Sequence, residues 1–294
     1  MKKEKVLDIP IINILVLILG IIVIVMYTFK SNECVESFSQ EIKYLEKNNN
    51  SLFDDFYVGT YEILHYNPIR TLYEHNNIVS NTKMNKKSRV LDIGSGLGYH
   101  LHLLQDKNIP AIGLEKSKAM KETSLKKYNG LNVKLGNAMD ALTFENSQFT
   151  HIMCLFYTFY YMPDQEDFLR ICNNWLSHNG YLVIHIVDRD KFSPILPMNN
   201  LLLESSTTVP IKDTPLYESG ITFNKFKYKS SYRPNYKSDS AVMNETFTNK
   251  NSKIRKNIHS LNICSLKTYE KMFKRTGFTI KNVIDLDTIS SFYQ

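Results

Sequence analysis

The chain has 294 residues, of which 43% are hydrophobic and 22% are charged. This length fits one sizeable domain with appendages rather than two full enzyme domains. The composition is close to the globular average, which excludes a disordered or fibrous chain. Its four cysteines form no C-x-x-C pair and are not regularly spaced, which argues against a zinc ribbon or a disulfide scaffold. No metal site is predicted.

The N-terminal region is dominated by an apolar run, Ile9 to Phe29, that contains no charged residue. A helix of this length spans the roughly 30 Å of hydrocarbon in a bilayer, and the run is longer than the apolar part of a cleaved signal peptide. The sequence therefore predicts a transmembrane anchor over residues 1–30 and a single-pass membrane protein. The lysines on the two sides of the run differ by only one, so they decide little about orientation.

The region between the apolar run and the body is polar and then aromatic. Residues 31–55 are rich in glutamate and asparagine, which predicts a partly helical stalk that breaks at Asn48 to Asn50. Residues 56–79 are dense in aromatic side chains and predict helices that cap the first strand of the body. Tyr61, within them, is either a core residue or a ligand contact.

Glycine is scarce in the chain, yet three of its 11 glycines are Gly94, Gly96 and Gly98. The apolar run 90–93 before them predicts a buried parallel strand, and leucines at helical spacing over 97–104 predict a helix after them. Glycine lets a ligand approach the backbone with no Cβ in the way. The pattern therefore predicts a ligand-binding loop between a strand and a helix.

A second predicted strand ends in Glu115, where a carboxylate can accept both hydroxyls of a ribose. Tyr99 occupies the place where the third glycine of a dinucleotide-binding fingerprint would fall, and no Tyr-x-x-x-Lys pair is present. The pattern therefore favours a single nucleoside over a dinucleotide and disfavours an oxidoreductase.

In this order the motifs resemble those of the class I S-adenosylmethionine-dependent methyltransferases, in particular their type 11 and type 12 members. The family's first motif, D-x-G-x-G-x-G, matches Asp92 to Gly98, and its second, an acidic residue followed by Ser and then Met, matches Glu115 to Met120. Its third, usually Asp-Ala, is replaced by Asn137-Ala138, whose amide oxygen can still accept from an adenine amino group. The resemblance covers residues 85–190 well and the C-terminal third weakly.

This resemblance implies a doubly wound, seven-stranded α/β sheet that binds S-adenosylmethionine. Glu115 is then the ribose ligand, and Met120 is an apolar wall for the adenine. The other cofactor contacts that it implies are Asp92, Gly94, Ser95, Gly96, Gly98, Lys116, Asn137, Ala138, Leu155 and Tyr61. Because this cofactor is made in the cytosol, the resemblance favours a cytosol-facing domain.

The C-terminal third holds more chain than a minimal fold of this kind needs. Within residues 190–264, two segments of alternating pattern predict an added antiparallel sheet over the open edge of the site, and in the resembling family such insertions select the substrate. Residues 221–260 carry nine Lys/Arg against two Asp/Glu. This basic character is compatible with an acidic substrate, with anionic headgroups or with a solvated face. No motif typical of exocyclic base methylation occurs, so the sequence disfavours nucleic acid as the acceptor.

Methyl transfer from a sulfonium is an in-line displacement that depends mainly on alignment and exclusion of water. Where the acceptor must lose a proton, a base helps, and the candidates are His185, at the end of the fifth strand, and His259; a structural role stays open for both. Residues after the fourth strand are predicted to border the acceptor pocket: Tyr157, Tyr160 and Tyr161.

These observations predict a membrane-anchored methyltransferase, with a catalytic domain over residues 56–294. Its acceptor, whether small molecule, lipid or protein, and its oligomeric state are not predicted. The alternative is a catalytically inactive module that keeps the cofactor fold and scaffolds other proteins at a membrane.

Overall fold

The computed structural model describes residues 44–49, 51–190, 208–211, 214–223 and 226–286, and for 208–211 and 214–219 only the backbone. All of them belong to one unit of the chain, Ile42–Gln294. They form two sheets and the helices that pack against them.

The first sheet is entirely parallel. Its strands are β2 (Val90–Ile93), β3 (Ala111–Glu115), β4 (Val133–Leu135), β5 (Phe149–Cys154) and β6 (Leu176–Ile184), in the order β4-β3-β2-β5-β6. The crossovers contain α3 (Tyr99–Asp106), α4 (Lys118–Lys127) and α5 (Gln165–Trp175). Every residue of β2 is buried, as expected of a central strand covered on both faces. The strand order reverses between β2 and β5, and the crevice at the carboxyl ends of strands at such a point is where α/β sheets bind ligands.

The predicted α/β class with a parallel sheet is confirmed, whereas the predicted number of seven strands is not. Five parallel strands occur within the described residues, and residues 278–286, after the last helix, contain none. That helix is α6 (Leu266–Arg275); the Ser265 side chain caps its N-terminus, and Gly277, in a left-handed conformation, follows its C-terminal cap.

The second sheet contains the predicted C-terminal insertion. Its strands are β1 (Tyr44–Asn48), β7 (Thr208–Ile211), β8 (Thr214–Thr222), β9 (Phe226–Asn235), β10 (Ser240–Asn249) and β11 (Ile254–Asn262), in the order β1-β11-β10-β9-β8-β7. Pairs from β7 to β11 are antiparallel, so the predicted added antiparallel sheet is present. Along β9 the buried and exposed positions alternate, and the basic side chains Lys227, Lys229 and Arg233 all lie on the exposed face.

Strand β1 replaces the predicted helical stalk over its described part. It pairs in parallel with β11, and the Asn49 side chain exchanges hydrogen bonds with the backbone of Ser260, at 2.7 and 2.8 Å. The partner strand is about 200 residues away in sequence, so the local polar composition did not reveal the pairing. The remaining residues of the predicted stalk, 31–43 and Asn50, lie outside the described residues.

The two N-terminal helices of the body, α1 (Asp55–His65) and α2 (Pro68–Asn81), confirm the predicted helical segment. The residues just before helix α1 are hydrogen-bonded to both sheets. Arg255 of β11 donates hydrogen bonds to the Asp54 carboxylate and the Leu52 carbonyl, at 2.9 and 3.1 Å. Ser117, at the end of the parallel sheet, donates to the Phe53 carbonyl at 2.6 Å. Helix α1 is therefore held between the carboxyl edge of the parallel sheet and the insertion.

The predicted membrane localisation requires a correction. Within the part of the chain that the structure describes, no helix combines the length and apolar character needed to cross a bilayer. The predicted span, Ile9 to Phe29, lies outside the described residues. The predicted single-pass, cytosol-facing arrangement is therefore not retained.

Candidate functional site

One large cavity lies at the carboxyl edge of the parallel sheet, with a volume of about 1080 Å³. Its walls come from the glycine loop, from the ends of β3, β5 and β6, from α1 and α2, and from β10 and β11 of the insertion. Ligand cavities are usually about 300 to 1,000 Å³, so this one has room for a nucleoside ligand and a second small molecule. Of the residues that the sequence singles out as cofactor contacts or bases, only Gly98 is not in the wall.

The glycines of the loop have different roles. A Cβ built on Gly96 would meet only the Gly94 carbonyl oxygen, at 3.9 Å, so a side chain at this wall position would occupy the cavity. A Cβ on Gly98 would lie 2.7 Å from Leu131 and 3.2 Å from Ser124, outside the cavity. Gly96 therefore keeps space for a ligand, whereas Gly98 allows α3 to pack closely against the α4 region.

Glu115, at the end of β3, is directed toward the glycine loop. Its carboxylate oxygens accept hydrogen bonds from the backbone N–H groups of Gly96 and Ser117, both at 2.8 Å. Burial raises the pKa of Glu115, and these backbone bonds oppose the rise. A backbone bond from Lys116 also reaches this carboxylate, which offers about four acceptor positions in all, so acceptor capacity is left for a ligand hydroxyl. The geometry agrees with the role that the resemblance implies for Glu115.

Asp92, at β2, supplies a second carboxyl group to the same wall. It is only 3% exposed, and burial, followed by the nearby Glu115, raises its pKa to about 8. A cation placed in the cavity would favour the ionised forms of both carboxyl groups. This half of the cavity therefore fits a positively charged ligand.

We expect Asp92→Asn to stabilise the protein, with an effect that depends on pH. Below the unfolded pKa of about 4, Asp92 is protonated in both states, and the protein is most stable with respect to this group. As pH rises toward the folded pKa of about 8, the unfolded state loses the proton first, and the free energy of unfolding falls. The free energy of unfolding of the variant should exceed that of the parent by at least about 2 kcal/mol at pH 8, with little difference at pH 4. Urea unfolding across this pH range measures it, with Asp106→Asn at the exposed end of α3 as the charge control. A difference that does not vary with pH would contradict the assignment.

The remaining cofactor candidates form an apolar wall with a polar edge. Met120, Ala138 and Leu155 are buried. The Asn137 side-chain oxygen accepts the Met139 N–H at 3.2 Å, which leaves it one acceptor position. The other cavity-lining candidates are Ser95, Lys116 and Tyr61. These residues can hold a flat, polar ring system such as a nucleobase.

Sequence reasoning missed Arg70, which lines the cavity from α2. Its guanidinium group lies over the Phe156 ring, 5.0 Å from the centroid, donates to the His65 carbonyl at 2.8 Å and is 3.7 Å from the Glu74 carboxyl group. Guanidinium groups suit carboxylate and phosphate ligands. A lone arginine in a helix gives no signal in sequence, because only folding brings α2 to the end of β5.

His185 lies in the cavity wall but has no free basic nitrogen. Its Nδ1 accepts the Phe156 N–H at 2.9 Å, so in the neutral ring the hydrogen is on Nε2. Burial, with a smaller contribution from Arg70, lowers the pKa of His185 to about 4. With its hydrogen on Nε2, the ring can donate a hydrogen bond to a ligand. The predicted role of His185 as a base therefore does not fit this geometry.

At the insertion side of the cavity, His259 and Tyr161 are hydrogen-bonded to each other. His259 also bonds through Nε2 to the Glu245 carboxylate at 2.7 Å. Tyr157 lines the cavity as expected, whereas Tyr160 does not: its hydroxyl bonds to backbone groups of Val187 and His185. Glu245 was not identified from the sequence, where it is one of two acidic residues in a lysine-rich segment.

Comparison with protein families matches residues 75–283 to a family described as "Methyltransferase domain". The chain belongs to this methyltransferase domain family. Its cofactor is S-adenosylmethionine, and the cavity fits this group: the space above Gly96 is open to a ligand, and the buried carboxyl groups of Asp92 and Glu115 suit a sulfonium cation.

A curated relative of this methyltransferase domain is dTDP-4-amino-2,3,4,6-tetradeoxy-D-glucose N,N-dimethyltransferase from Saccharopolyspora spinosa. It is 29% identical over 98 residues, which cover 33% of this chain. The matched stretch spans 38% of the relative's length.

Among solved structures, the CcbJ methyltransferase from Streptomyces caelestis is similar with a TM-score of 0.59 and 12% identity, covering 76% of this chain and 86% of that one. An amino pentose methyltransferase from Micromonospora echinaspora, solved with S-adenosylmethionine bound, has a TM-score of 0.55 and 17% identity, covering 77% and 90%. At these identities the likeness concerns the fold.

Proposed function

We propose that the protein transfers a methyl group from S-adenosylmethionine to the amino nitrogen of a small sugar or sugar-like natural product. The observation that carries this proposal is that the cofactor loop and the polar cluster of the insertion face one cavity of about 1080 Å³. The curated relative is named as an amino-sugar N,N-dimethyltransferase, and one fold neighbour as an amino pentose methyltransferase, which supports the choice of acceptor.

The cofactor is assigned to the half of the cavity next to the parallel sheet, where it would supply an electrophilic methyl group on a positively charged sulfur. Glu115 would accept the ribose hydroxyls, and Asn137 would accept from the adenine amino group. Arg70 would pair with the methionine carboxylate, since it is the guanidinium group in this wall. Asp92 and Glu115 would stabilise the positive charge, and Met120 and Leu155 would exclude water.

The acceptor is assigned to the half of the cavity between α1 and the insertion. This half is lined by aromatic rings with polar tips, Tyr57, Tyr157 and Tyr161. Such rings pack against the apolar face of a sugar and attract an ammonium group. The volume limits the acceptor to a small molecule or to the end of a larger one.

The proposal is tested by incubating the full chain with S-adenosylmethionine that carries a labelled methyl group and with paired sugars. Each pair consists of an amino sugar, free or as its nucleotide conjugate, and the analogue with a hydroxyl group in place of the amine. Mass spectrometry reads the methyl group added to each acceptor. We expect transfer to at least one amino sugar and none to its hydroxyl analogue.

Two results would contradict the proposal. Transfer to hydroxyl analogues alone would refute an amine acceptor. Tight binding of S-adenosylhomocysteine without transfer to any sugar, protein or lipid of a lysate would refute catalysis and would favour a cofactor-binding scaffold.

A further inference from the structure

The insertion sheet contains a fully buried carboxylate behind the acceptor side of the cavity. Glu245, in the middle of β10, is 0% exposed. It accepts hydrogen bonds from Tyr228 of β9 at 2.9 Å, and from Asn257 and His259 of β11 at 3.2 and 2.7 Å. Burial acts to raise its pKa, but the adjacent His259, followed by His65 and the Tyr57 hydroxyl, holds the pKa of Glu245 at about 2. The carboxylate is therefore ionised under all ordinary conditions.

This carboxylate determines which nitrogen of His259 carries hydrogen. Because Nε2 faces an ionised acceptor, the hydrogen of the neutral ring is on Nε2, and Nδ1 accepts the Tyr161 hydroxyl hydrogen. His259 is 1% exposed, so its geometry is fixed by these two bonds. The three side chains form a continuous chain of hydrogen bonds from the cavity wall into the sheet.

Tyr161 is the end of this chain that a ligand can contact. It lies in the turn after β5 and lines the same cavity as the glycine loop. Burial and the Glu245 charge hold the pKa of Tyr161 well above its usual value of 10, so the side chain is a phenol and not a phenolate. While its hydrogen is donated to His259, its oxygen can accept a hydrogen bond from the cavity.

We propose that Tyr161, His259 and Glu245 form a proton relay that removes a proton from the acceptor nitrogen, an inference that rests on the proposed function. An alkyl amine is bound as an ammonium ion at neutral pH and has no lone pair for attack. One ammonium N–H bond breaks as its proton passes to the Tyr161 oxygen, and the Tyr161 hydroxyl proton passes to Nδ1 of His259. The nitrogen lone pair then forms the bond to the methyl carbon, and the electrons of the carbon–sulfur bond remain on sulfur.

In this relay Tyr161 is the catalytic residue that contacts the acceptor, and Glu245 is a positioning residue that stabilises the imidazolium ion formed on His259. The other titratable groups that face His259 and Glu245 are Tyr57 and His65 of α1 and Tyr228 of β9. Burial lowers the pKa of His65 to about 4, so this neighbour adds no competing positive charge near pH 7. The sequence supplied His259 as a candidate base and Tyr161 as a pocket residue, but not their connection or the role of Glu245, since the two partners of His259 are 14 and 98 residues away.

The first test needs no acceptor. Nitrogen-15 NMR of the histidine rings in the full chain, followed as a function of pH, should show that the neutral ring of His259 carries its hydrogen on Nε2 and has a hydrogen-bonded, unprotonated Nδ1. Tyr161→Phe should shift the Nδ1 resonance, and Glu245→Gln should shift that of Nε2. Hydrogen on Nδ1 in the parent protein would overturn the relay, whatever the enzyme methylates.

The second test compares acceptors of different basicity. With an ordinary alkyl amine, Tyr161→Phe should lower kcat by about 100-fold or more, with unchanged affinity for S-adenosylhomocysteine. With an analogue whose amine has a pKa below the assay pH, the nitrogen is already unprotonated, and the defect should fall to within about 5-fold. Tyr181→Phe, which is outside the cavity wall, is the matched control and should retain parental kcat.

An equal defect of Tyr161→Phe with both amines would overturn the relay and indicate a structural hydroxyl group. If the parent enzyme methylates no amine at all, the proposed acceptor is wrong, and the NMR result still decides whether the hydrogen-bonded relay exists. The two failures are therefore distinguishable.

Discussion

Replacing Gly96 with arginine is expected to abolish cofactor binding. A Cβ at this position would have no heavy-atom neighbour closer than 3.9 Å outside the adjacent residues, so a longer side chain enters the cavity where the nucleoside is assigned. Isothermal titration of the full chain with S-adenosylhomocysteine should show at least about a 100-fold loss of affinity, since steric exclusion removes most contacts of the ligand.

The control must reproduce the backbone strain of this substitution. Gly96 has φ +53°, a conformation that costs a non-glycine residue roughly 1 kcal/mol. Gly130 has φ +82°, is outside this cavity, and its Cβ would approach only the end of the flexible Gln105 side chain. Gly130→Arg should lower the melting temperature to a similar degree and retain affinity. Persisting affinity in Gly96→Arg would refute the placement of the cofactor.

The second large effect is expected on stability, from Arg255→Met. Arg255 is 2% exposed and donates to the Asp54 carboxylate, the Leu52 carbonyl and the Asn257 side chain, while its guanidinium group lies over the Phe56 ring. Removal takes the donor from the buried Leu52 carbonyl and Asn257 side-chain oxygen and breaks an ion pair whose Asp54 partner is partly exposed, which together cost about 3 kcal/mol. Urea unfolding should show a loss of this size.

Lys256→Met is the matched control, one residue further along β11. Its ammonium group is 3.8 Å from the Glu46 carboxylate, and the two side chains are 34% and 48% exposed, so the pair should contribute less than about 1 kcal/mol. Since Arg255 connects β11 to the start of α1, its loss should also loosen the helix that presents Tyr57 and Tyr61 to the cavity. Equal stability losses in the two variants would contradict this account.

The cofactor half of the site could be predicted from sequence because its signals are local. The strand, glycine loop and helix around Gly96 fall within about 20 consecutive residues, and Glu115 follows at the end of the next strand. The spacing of the glycines predicted a cofactor contact at both Gly96 and Gly98. Only the structure shows that Gly96 faces the cavity, whereas Gly98 allows close packing.

The acceptor half could be predicted only in outline. His259 was a candidate base because histidine can accept a proton near neutral pH. The same argument also selected His185, whose Nδ1 already accepts the Phe156 N–H. The two histidines differ in their bonding partners, which lie on other strands. The residue that distinguishes His259, Glu245, had no signal of its own.

The sequence by itself determined the fold class, the methyltransferase resemblance and the cofactor, because backbone conformation and strand ends depend on neighbouring residues. Tertiary structure alone decided that residues 44–48 pair with β11, that Arg70 reaches the cavity, and that Glu245, His259 and Tyr161 are connected. These contacts join residues far apart in the chain, and their formation depends on how the insertion packs over the carboxyl edge of the parallel sheet. Burial in that interface then gives Glu245 and His259 their fixed hydrogen-bond partners, which composition and spacing do not encode.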